Sequence, residues 1–361
     1  MNWLREVALN EEGLRTSSIG FGCNALLQTK TYKDALQLLE TAFDQGIRHF
    51  DVARSYEAGE SEMLVGKFIY NKRSEVTITT KFRVNDAGNY LTENPVRKWL
   101  RRRVKEYLPV SRSSHNSKEN DSEKHPSDIA ELIPSKLFGT SVSEQTPEND
   151  IAPKKIDIAL AQDSLNRSLK ELHTDYIDLY LVHEAERADC TEELLVFLEH
   201  LKKSGKIREF GIGSSFERAN EICLYCPRFV PVVQFDSSIF NQNTKQLKQY
   251  RNGAYITHGS LAILSAFYGL LNSEKTFSDG IDEVSSGKLI KKNNVQAVAD
   301  LLLQHACAEN ANGVVIFRSS KVENLISNLK SVQDCRFDRE ELQNIAVFVE
   351  RYIQNYRKIS I

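Results

Sequence analysis

Short apolar runs alternate with longer amphipathic segments along most of the chain. The short runs are rich in β-branched and aromatic residues and predict strands, whereas the longer segments repeat apolar side chains at helical spacing. An N-terminal hairpin (Glu6 to Leu9, Leu14 to Ser17) precedes eight predicted strands: Ser18 to Gly22, one ending at Asp51, Thr77 to Lys81, Tyr176 to His183, Glu209 to Gly213, Val232 to Phe235, Ala254 to Thr257 and Gly313 to Ile316. The predicted helices are Tyr32 to Gln45, Gly59 to Asn71, Lys155 to Leu172, Cys190 to Ser204, Glu217 to Tyr225, Thr244 to Gln249, Val295 to Glu309, Val322 to Leu329 and a last one, Asp338 to Tyr356.

Strict alternation of strand and helix predicts a parallel sheet, and eight such units are the number that closes into a barrel. An open, doubly wound sheet is the competing architecture and would carry a G-x-G-x-x-G turn after the first strand. The chain has GFGCNA at this place and lacks that fingerprint. We therefore expect an α/β fold, a single (β/α)8 TIM barrel domain over residues 1–361 with an N-terminal β-hairpin and an extra C-terminal helix.

The regular pattern stops after the third barrel strand. Residues 83–154 form a long insertion, and its centre, SRSSHNSKENDSEKHPSD, is polar and rich in serine. Such a composition cannot bury enough apolar surface to order itself, so we expect a partly disordered loop. A lid over the site and a surface for a partner are both compatible with this segment.

Composition and charge exclude several classes of protein. The net charge of -2 gives no reason to expect nucleic acid or an anionic membrane as a partner. No run reaches the ~18 apolar residues that span a bilayer. The first residues, MNWLREVALNEEG, have no long apolar stretch behind a basic cap, so we do not expect export. The six cysteines are too scattered for a disulfide framework, which predicts a cytoplasmic protein. Cys223 and Cys226 have C-x-x-C spacing, but no second pair completes a zinc site.

Four residues with titratable side chains lie at or just after the ends of three successive predicted strands. Asp51, Lys81 and His183 end strands two, three and four, and Tyr56 follows strand two. Neighbouring strands are about 4.8 Å apart, so these groups can converge at the mouth of a barrel. Taken singly, each has a structural explanation, such as a helix cap, packing, a surface lysine or a core histidine. Together they predict a proton-transfer site, in which Lys81 lowers the pKa of Tyr56, Asp51 anchors Lys81 and His183 orients a carbonyl oxygen.

Six ordered blocks of the sequence resemble the aldo-keto reductase superfamily. The blocks are HFDVARSYEAGESEMLVGK, VTITTKF, SLNRSLKELHTDYIDLYLVH, LKKSGKIREFGIGSS, VPVVQFD and GVVIFRSSKVENLISNL. The resemblance covers nearly the whole chain except about residues 83–154. It implies a (β/α)8 barrel that binds NADP(H) or NAD(H) and moves a hydride between the nicotinamide and a carbonyl or alcohol carbon.

The resemblance also implies roles for individual residues. Asp51, Tyr56, Lys81 and His183 fall on the catalytic tetrad of the family, with Tyr56 as the general acid of reduction and the general base of oxidation. The implied cofactor-binding residues are Gly22, Cys23, Asn24, Ser214, Ser215, Gln234, His258, Arg318, Ser319, Lys321, Asn324 and Asn328. The chain departs from the family at Val52, which replaces a threonine, and at Glu57, which replaces a glycine.

Arg318 and Lys321 flank two serines at the start of a predicted helix, which is the chemistry of a phosphate site and favours NADP over NAD. The expected function is reduction of a carbonyl or oxidation of an alcohol, with a sugar or a small aldehyde as substrate. Two alternatives remain open at this point. One is a non-catalytic, cofactor-binding regulatory member of the same fold, and the other is a metal-dependent barrel hydrolase that uses His49, Asp51 and His183. The direction of the reaction and the oligomeric state are left open.

Overall fold

The strands alternate with helices along the chain, as the apolar pattern predicts. The computed structural model describes residues 2–24, 26–27, 31–83, 157–247, 255–289 and 294–359. The strands are β1 (Glu6–Ala8), β2 (Arg15–Ser17), β3 (Ile19–Gly22), β4 (His49–Asp51), β5 (Thr77–Phe82), β6 (Ile177–His183), β7 (Ile207–Gly213), β8 (Val232–Asp236), β9 (Tyr255–His258) and β10 (Val314–Phe317). The helices are α1 (Tyr32–Asp44), α2 (Glu60–Ile69), α3 (Ile158–Glu171), α4 (Glu192–Lys203), α5 (Phe216–Tyr225), α6 (Asn243–Leu247), α7 (Leu264–Ser273), α8 (Lys275–Val284), α9 (Val295–Glu309), α10 (Val322–Gln333) and α11 (Arg339–Ile359).

Strands β3 to β10 form a closed barrel in which β10 pairs with β3 and every pairing is parallel. The strands β1 and β2 form the separate antiparallel hairpin. The (β/α)8 barrel with its N-terminal hairpin is therefore confirmed, and the barrel closes where a doubly wound sheet would stay open. Of the predicted insertion 83–154, the structure describes only Arg83, which directly follows β5. The rest of the insertion lies outside the described residues.

Two helices after β9 were not predicted. The sequence of α7, LSAFYGLLNS, is mostly apolar, so it shows little helical alternation. Neither α7 nor α8 begins with a side chain that caps its first turn, so the usual signal for the start of a helix is missing. Among the helices in the described ranges, none is both long and apolar enough to cross a bilayer.

The apolar core has two parts, and their arrangement determines which end of the barrel is open. The larger part lies between the strands and the surrounding helices. The smaller one fills the barrel interior, where Leu179 and Leu181 of β6 pack in one cluster with Val7, Leu9 and Leu14 of the hairpin region. The hairpin region therefore closes the N-terminal end of the barrel. The C-terminal end, where active sites of this fold lie, remains available for a ligand.

Candidate active site

A buried ion pair lies at the C-terminal end of the barrel. The Lys81 ammonium is 2.6 Å from Asp51 Oδ1 and donates a second hydrogen bond to the Val52 carbonyl oxygen at 3.1 Å. The other Asp51 oxygen accepts a hydrogen bond from Gln234 Nε2 at 3.0 Å. Burial works against the ammonium, but Asp51 and Tyr56 together raise the pKa of Lys81 above its ordinary 10.5. Lys81 is therefore a permanent positive charge held in one place.

Tyr56 reaches the same point from the turn after β4. It begins a 3-10 turn, Tyr56–Gly59, and its backbone N–H bonds to the Ala53 carbonyl oxygen at 3.0 Å. The Tyr56 ring lies beside Lys81, whose Nζ is 5.3 Å from the ring centre. The His183 ring stands edge-on to the tyrosine, with ring centres 6.2 Å apart. Residues from three neighbouring strands and one loop therefore meet, as the strand-end pattern predicted.

The expected pKa of Tyr56 was wrong in its net direction. Burial raises the pKa of Tyr56 above its ordinary 10.0, and Lys81 offsets only part of that rise. The sequence indicates which charges can be near the phenol, but it does not show how thoroughly water is excluded from it. Tyr56 therefore holds its proton at neutral pH and is suited to be a proton donor.

His183 is uncharged at neutral pH. Burial lowers the pKa of His183 to about 4, and the positive charges of Lys81 and Arg83 act in the same direction. Its Nδ1 lies 3.4 Å from the Ser55 hydroxyl oxygen. A neutral imidazole can donate an N–H hydrogen bond to a carbonyl oxygen, but it has no extra proton to give.

An elongated cleft begins at these four residues. A cavity of about 640 Å³ contains them together with Ser215 and His258. A second cavity of about 700 Å³ runs along the start of α10. The two share Gly22, Asn24, Leu261 and Arg318, so they form one continuous cleft. Each part has a volume typical of a small-molecule site.

The wall near Asp51 fits a carboxamide group. Gln234 donates to Asp51 through Nε2, while its buried Oε1 has no hydrogen-bond partner among the described residues. Gly213 leaves room there, because a Cβ on it would lie 3.3 Å from this oxygen. Ser214 donates its hydroxyl to the Ala185 carbonyl oxygen at 2.8 Å. Gln234 and Ser215 are thus the groups that can receive an amide, since Ser214 is already engaged.

The far end of the cleft fits a phosphate. The first turn of α10 has no side-chain cap, so its N–H groups are available to an anion. Arg318 lines both parts of the cleft, and Ser319 lines the far part with Asn324. The Ser319 hydroxyl donates to the Lys321 carbonyl oxygen at 2.7 Å.

Three of the cofactor-binding residues that the resemblance implies either lie outside the cleft or are hydrogen-bonded to another side chain. Lys321 is exposed and lines neither cavity. Asn328 lines the far cavity, but its side-chain oxygen accepts a hydrogen bond from Gln296 at 3.2 Å. The Cys23 thiol is fully buried beside the Phe21 carbonyl oxygen, at 3.7 Å, and lines neither cavity.

Glu57 has a structural role that sequence reasoning did not identify. Its φ of +50° is in the left-handed region that glycine adopts most easily. One carboxylate oxygen accepts the Leu27 N–H at 2.7 Å, and the other accepts the Ser61 hydroxyl at 2.5 Å. Glu57 therefore ties the turn that carries Tyr56 to the loop after β3. The only signal in the sequence was its departure from the glycine usual in the family.

The arrangement gives no support to a metal-dependent hydrolase. His49 is fully buried, and its Nε2 lies 3.1 Å from the Thr79 hydroxyl oxygen inside the barrel. Asp51 is bound to Lys81 and Gln234. Within the described part of the chain, no group of three or more His, Cys, Asp or Glu side chains can hold a metal ion.

Comparisons of the sequence identify a family. A sequence model of the aldo/keto reductase family matches residues 18–110 and 147–350. The uncharacterized oxidoreductase YqkF of Bacillus subtilis is 26% identical over 94% of this chain and 95% of its own length. The D-threo-aldose 1-dehydrogenase of a Pseudomonas species is 28% identical over 58% of this chain and 53% of its own length. The methylglyoxal reductase DkgB of Salmonella typhi is 32% identical over 51% of this chain and 64% of its own length.

Solved structures share the fold. An aldo-keto reductase from Klebsiella pneumoniae in complex with NADPH superimposes with a TM-score of 0.61 at 16% identity, over 96% of this chain and 95% of that one. The holo form of an aldo-keto reductase from Bacillus halodurans gives a TM-score of 0.59 at 19% identity, over 96% of both chains.

Proposed function

The chain belongs to the aldo/keto reductase family, and from this premise we propose that it transfers a hydride between NADP(H) and the carbonyl or alcohol carbon of a small molecule, with Tyr56 as the proton donor or acceptor. One observation carries the proposal. The Tyr56 ring lies beside Lys81, whose Nζ is 5.3 Å from the ring centre, and Lys81 is held by Asp51 at 2.6 Å in a buried pair at the mouth of the barrel. A complete set of proton-transfer groups favours an enzyme over a purely regulatory binding protein.

Tyr56 is the group that moves the proton. In the reducing direction the carbonyl oxygen gains negative charge and needs a proton, and Tyr56 is protonated at neutral pH because burial raises its pKa. Lys81 stabilises the phenolate that remains. His183 is neutral because its pKa is about 4, so it orients the substrate oxygen with an N–H hydrogen bond.

The cleft supports NADP(H) as the cofactor, with NAD(H) as the weaker choice. The bound cofactor supplies the hydride. Gln234, Ser215 and His258 would hold its nicotinamide end, beside Gly22 and Asn24. At the other end, Arg318, Ser319 and Asn324 would surround its phosphate with a guanidinium, a hydroxyl and an amide. A guanidinium favours the additional phosphate that distinguishes NADP from NAD.

The substrate class we propose is a sugar or a small aldehyde. The names of two relatives, D-threo-aldose 1-dehydrogenase and methylglyoxal reductase, support this range. We also propose that the chain is one barrel domain with an insertion over residues 83–154, since the family match is interrupted between residues 110 and 147. The free state of all six cysteines supports a reducing, cytoplasmic compartment.

The test is turnover of NADPH and NADH with a panel of aldoses and small aldehydes. The wild-type protein should oxidise NADPH with at least one of them, and Tyr56→Phe should abolish turnover while leaving NADPH binding intact. Tyr70→Phe is the matched control, since Tyr70 is 75% exposed at the C-terminal end of α2 and lines neither cavity of the cleft. A Tyr56→Phe variant as fast as the wild type would refute the assignment. NADPH binding without turnover on any substrate would favour the regulatory alternative.

A further inference from the structure

A separate pocket opens from the catalytic groups, on the side away from the residues that would hold the cofactor. Lys81 and His183 line both this pocket and the cleft, and the two have no other lining residue in common. The other charged side chains that line it are Arg54, Arg83, Asp163 and Arg167. We name it the arginine pocket. A substrate whose carbonyl oxygen meets His183 can extend into it without displacing the cofactor.

The strand register places Arg83 beside the catalytic histidine. Strands β5 and β6 pair in parallel with Phe82 opposite Val182. The next residue along each chain segment, Arg83 after β5 and His183 at the end of β6, therefore lies at the same level of the barrel mouth. Neighbouring strands are about 4.8 Å apart. Arg167 reaches the pocket from α3, so two elements supply its arginines in addition to the turn that carries Tyr56.

One positive charge of the arginine pocket is not balanced by a carboxylate. The other three cations each have an acidic partner: Arg54 with Glu62 at 3.0 Å, Lys81 with Asp51 at 2.6 Å and Arg167 with Asp163 at 2.8 Å. Arg83 has no ion-pair partner in the described part of the chain. His183 adds no charge at neutral pH, since its pKa is about 4. Glu184, which lies 4.0 Å from His183, is paired with Arg218 at 3.6 Å. The pocket is thus suited to one negatively charged group.

The paired arginines keep hydrogen-bond donors for a ligand. Arg167 uses its Nε for Asp163, and Arg54 uses its Nη1 for Glu62. A guanidinium has five N–H donors, so terminal nitrogens of both remain for a ligand. Arg54 is also held firmly, because the fully buried Glu62 accepts a second hydrogen bond from the Thr80 hydroxyl at 2.7 Å. Guanidinium groups of this kind bind carboxylates and phosphates through paired hydrogen bonds.

The size of the arginine pocket limits what it can hold. Its volume is about 50 Å³, against about 640 Å³ for the catalytic part of the cleft. A water-sized group needs about 10–15 Å³ of such space, so the pocket has room for about four of them. A carboxylate or a phosphate group fits this space, whereas a sugar ring does not. Because His183 lines both cavities, only a few carbon atoms can separate such a group from the aldehyde.

We infer that the arginine pocket binds the anionic end of the substrate, so that the preferred substrates are short aldehydes that carry a carboxylate or a phosphate. This inference rests on the proposed function and narrows its substrate class. The anionic group is not altered in the reaction. The carbonyl carbon gains the hydride, the carbonyl oxygen gains the Tyr56 proton, and the product is the alcohol with the same anionic group.

The first test compares 4-oxobutanoate with butanal, which has the same number of carbon atoms and no charge. With the wild-type protein and NADPH at pH 7, kcat/KM for 4-oxobutanoate should exceed that for butanal by at least about tenfold. Arg83→Gln and Arg167→Gln should each lower this ratio, and the double variant should bring it to about one. Arg228→Gln is the matched control, because Arg228 forms surface ion pairs with Glu192 and Glu199 and lines none of these cavities. It should keep the wild-type ratio.

A parallel pair of substrates identifies the anion. Glycolaldehyde phosphate is compared with glycolaldehyde in the same way, and a preference for the charged member of either pair supports the proposal. A preference in neither pair would overturn it, as would a preference that the double arginine variant retains in full. Equal kcat/KM for charged and uncharged aldehydes would remove the arginine pocket and leave the proposed reductase intact. Reduction of butanal by Tyr56→Phe at the wild-type rate would instead refute the proposed function.

The second test does not depend on turnover. In a calorimetric titration of the cofactor-free protein, 4-hydroxybutanoate should bind more tightly than butan-1-ol, and its binding should weaken as salt is added. Combining Arg83→Gln with Arg167→Gln should abolish this binding, whereas Arg318→Gln, at the phosphate end of the cleft, should retain it. Loss of binding in Arg318→Gln with full binding in the double variant would place the anion at the cofactor site and overturn the proposal. The absence of binding to the wild-type protein would also overturn it.

Discussion

Replacing Lys81 by methionine removes one half of the buried pair and keeps most of the side-chain volume. The two side chains are only 3% and 5% exposed, and their charged atoms are 2.6 Å apart. Without Lys81 the Asp51 carboxylate remains buried, with Gln234 as its side-chain hydrogen-bond donor. Loss of one partner of a buried pair costs about 3–5 kcal/mol. We therefore expect Lys81→Met to lower the free energy of unfolding by that amount.

The chain offers a matched control for this variant. Lys72 and Glu40 are also 2.6 Å apart, but their side chains are 26% and 43% exposed. An exposed pair contributes about 0–1 kcal/mol, so Lys72→Met should have a small effect. Urea denaturation followed by intrinsic fluorescence measures both variants. Equal losses for Lys81→Met and Lys72→Met would refute the claim that burial gives the Lys81–Asp51 pair its importance.

A double variant separates the buried charge from the lost contact. Lys81→Met combined with Asp51→Asn removes both charges, so no unpaired carboxylate is left behind. The double variant should be more stable than Lys81→Met alone. It should nevertheless be inactive, because Tyr56 loses the positive charge that stabilises its phenolate.

Three further predictions concern the cleft. The kcat/KM for reduction should stay level from about pH 5 to about pH 8, because the pKa of His183 is about 4 and the pKa of Tyr56 is above 10.0. As the pH rises through the Tyr56 pKa, the rate of reduction should decline and the rate of oxidation should increase. A change in kcat/KM centred near pH 6.5 would contradict this. Glu57→Gly should weaken NADPH binding about tenfold in a fluorescence titration. The Leu27 N–H loses its hydrogen bond to a charged group, so the loop after β3, which carries Asn24 of the cleft, is held less firmly. Unchanged binding would contradict the role of Glu57. Arg318→Gln should weaken NADPH about tenfold and leave NADH unchanged, whereas equal losses for both cofactors would contradict its contact with the additional phosphate.

Local patterns were sufficient for the barrel and for the meeting of the catalytic groups. Each strand carries its own apolar signature, and parallel strands place their carboxyl ends together, so Asp51, Lys81 and His183 could be placed from sequence alone. The Tyr56 pKa could not, because its direction depends on exclusion of water by the whole site. The hydrogen bond that the Leu27 N–H donates to Glu57 joins residues that are distant in the chain. No local pattern encodes such contacts.

Direct hydride transfer is the central claim, and isotope labelling tests it most directly. The protein would be given NADPH that carries deuterium at the transferable position of the nicotinamide, together with an aldehyde that it reduces. Mass spectrometry of the alcohol should find one deuterium bound to the former carbonyl carbon, while the proton on oxygen, supplied through Tyr56, exchanges with water. An alcohol without deuterium on carbon, formed while NADPH is consumed, would contradict the account.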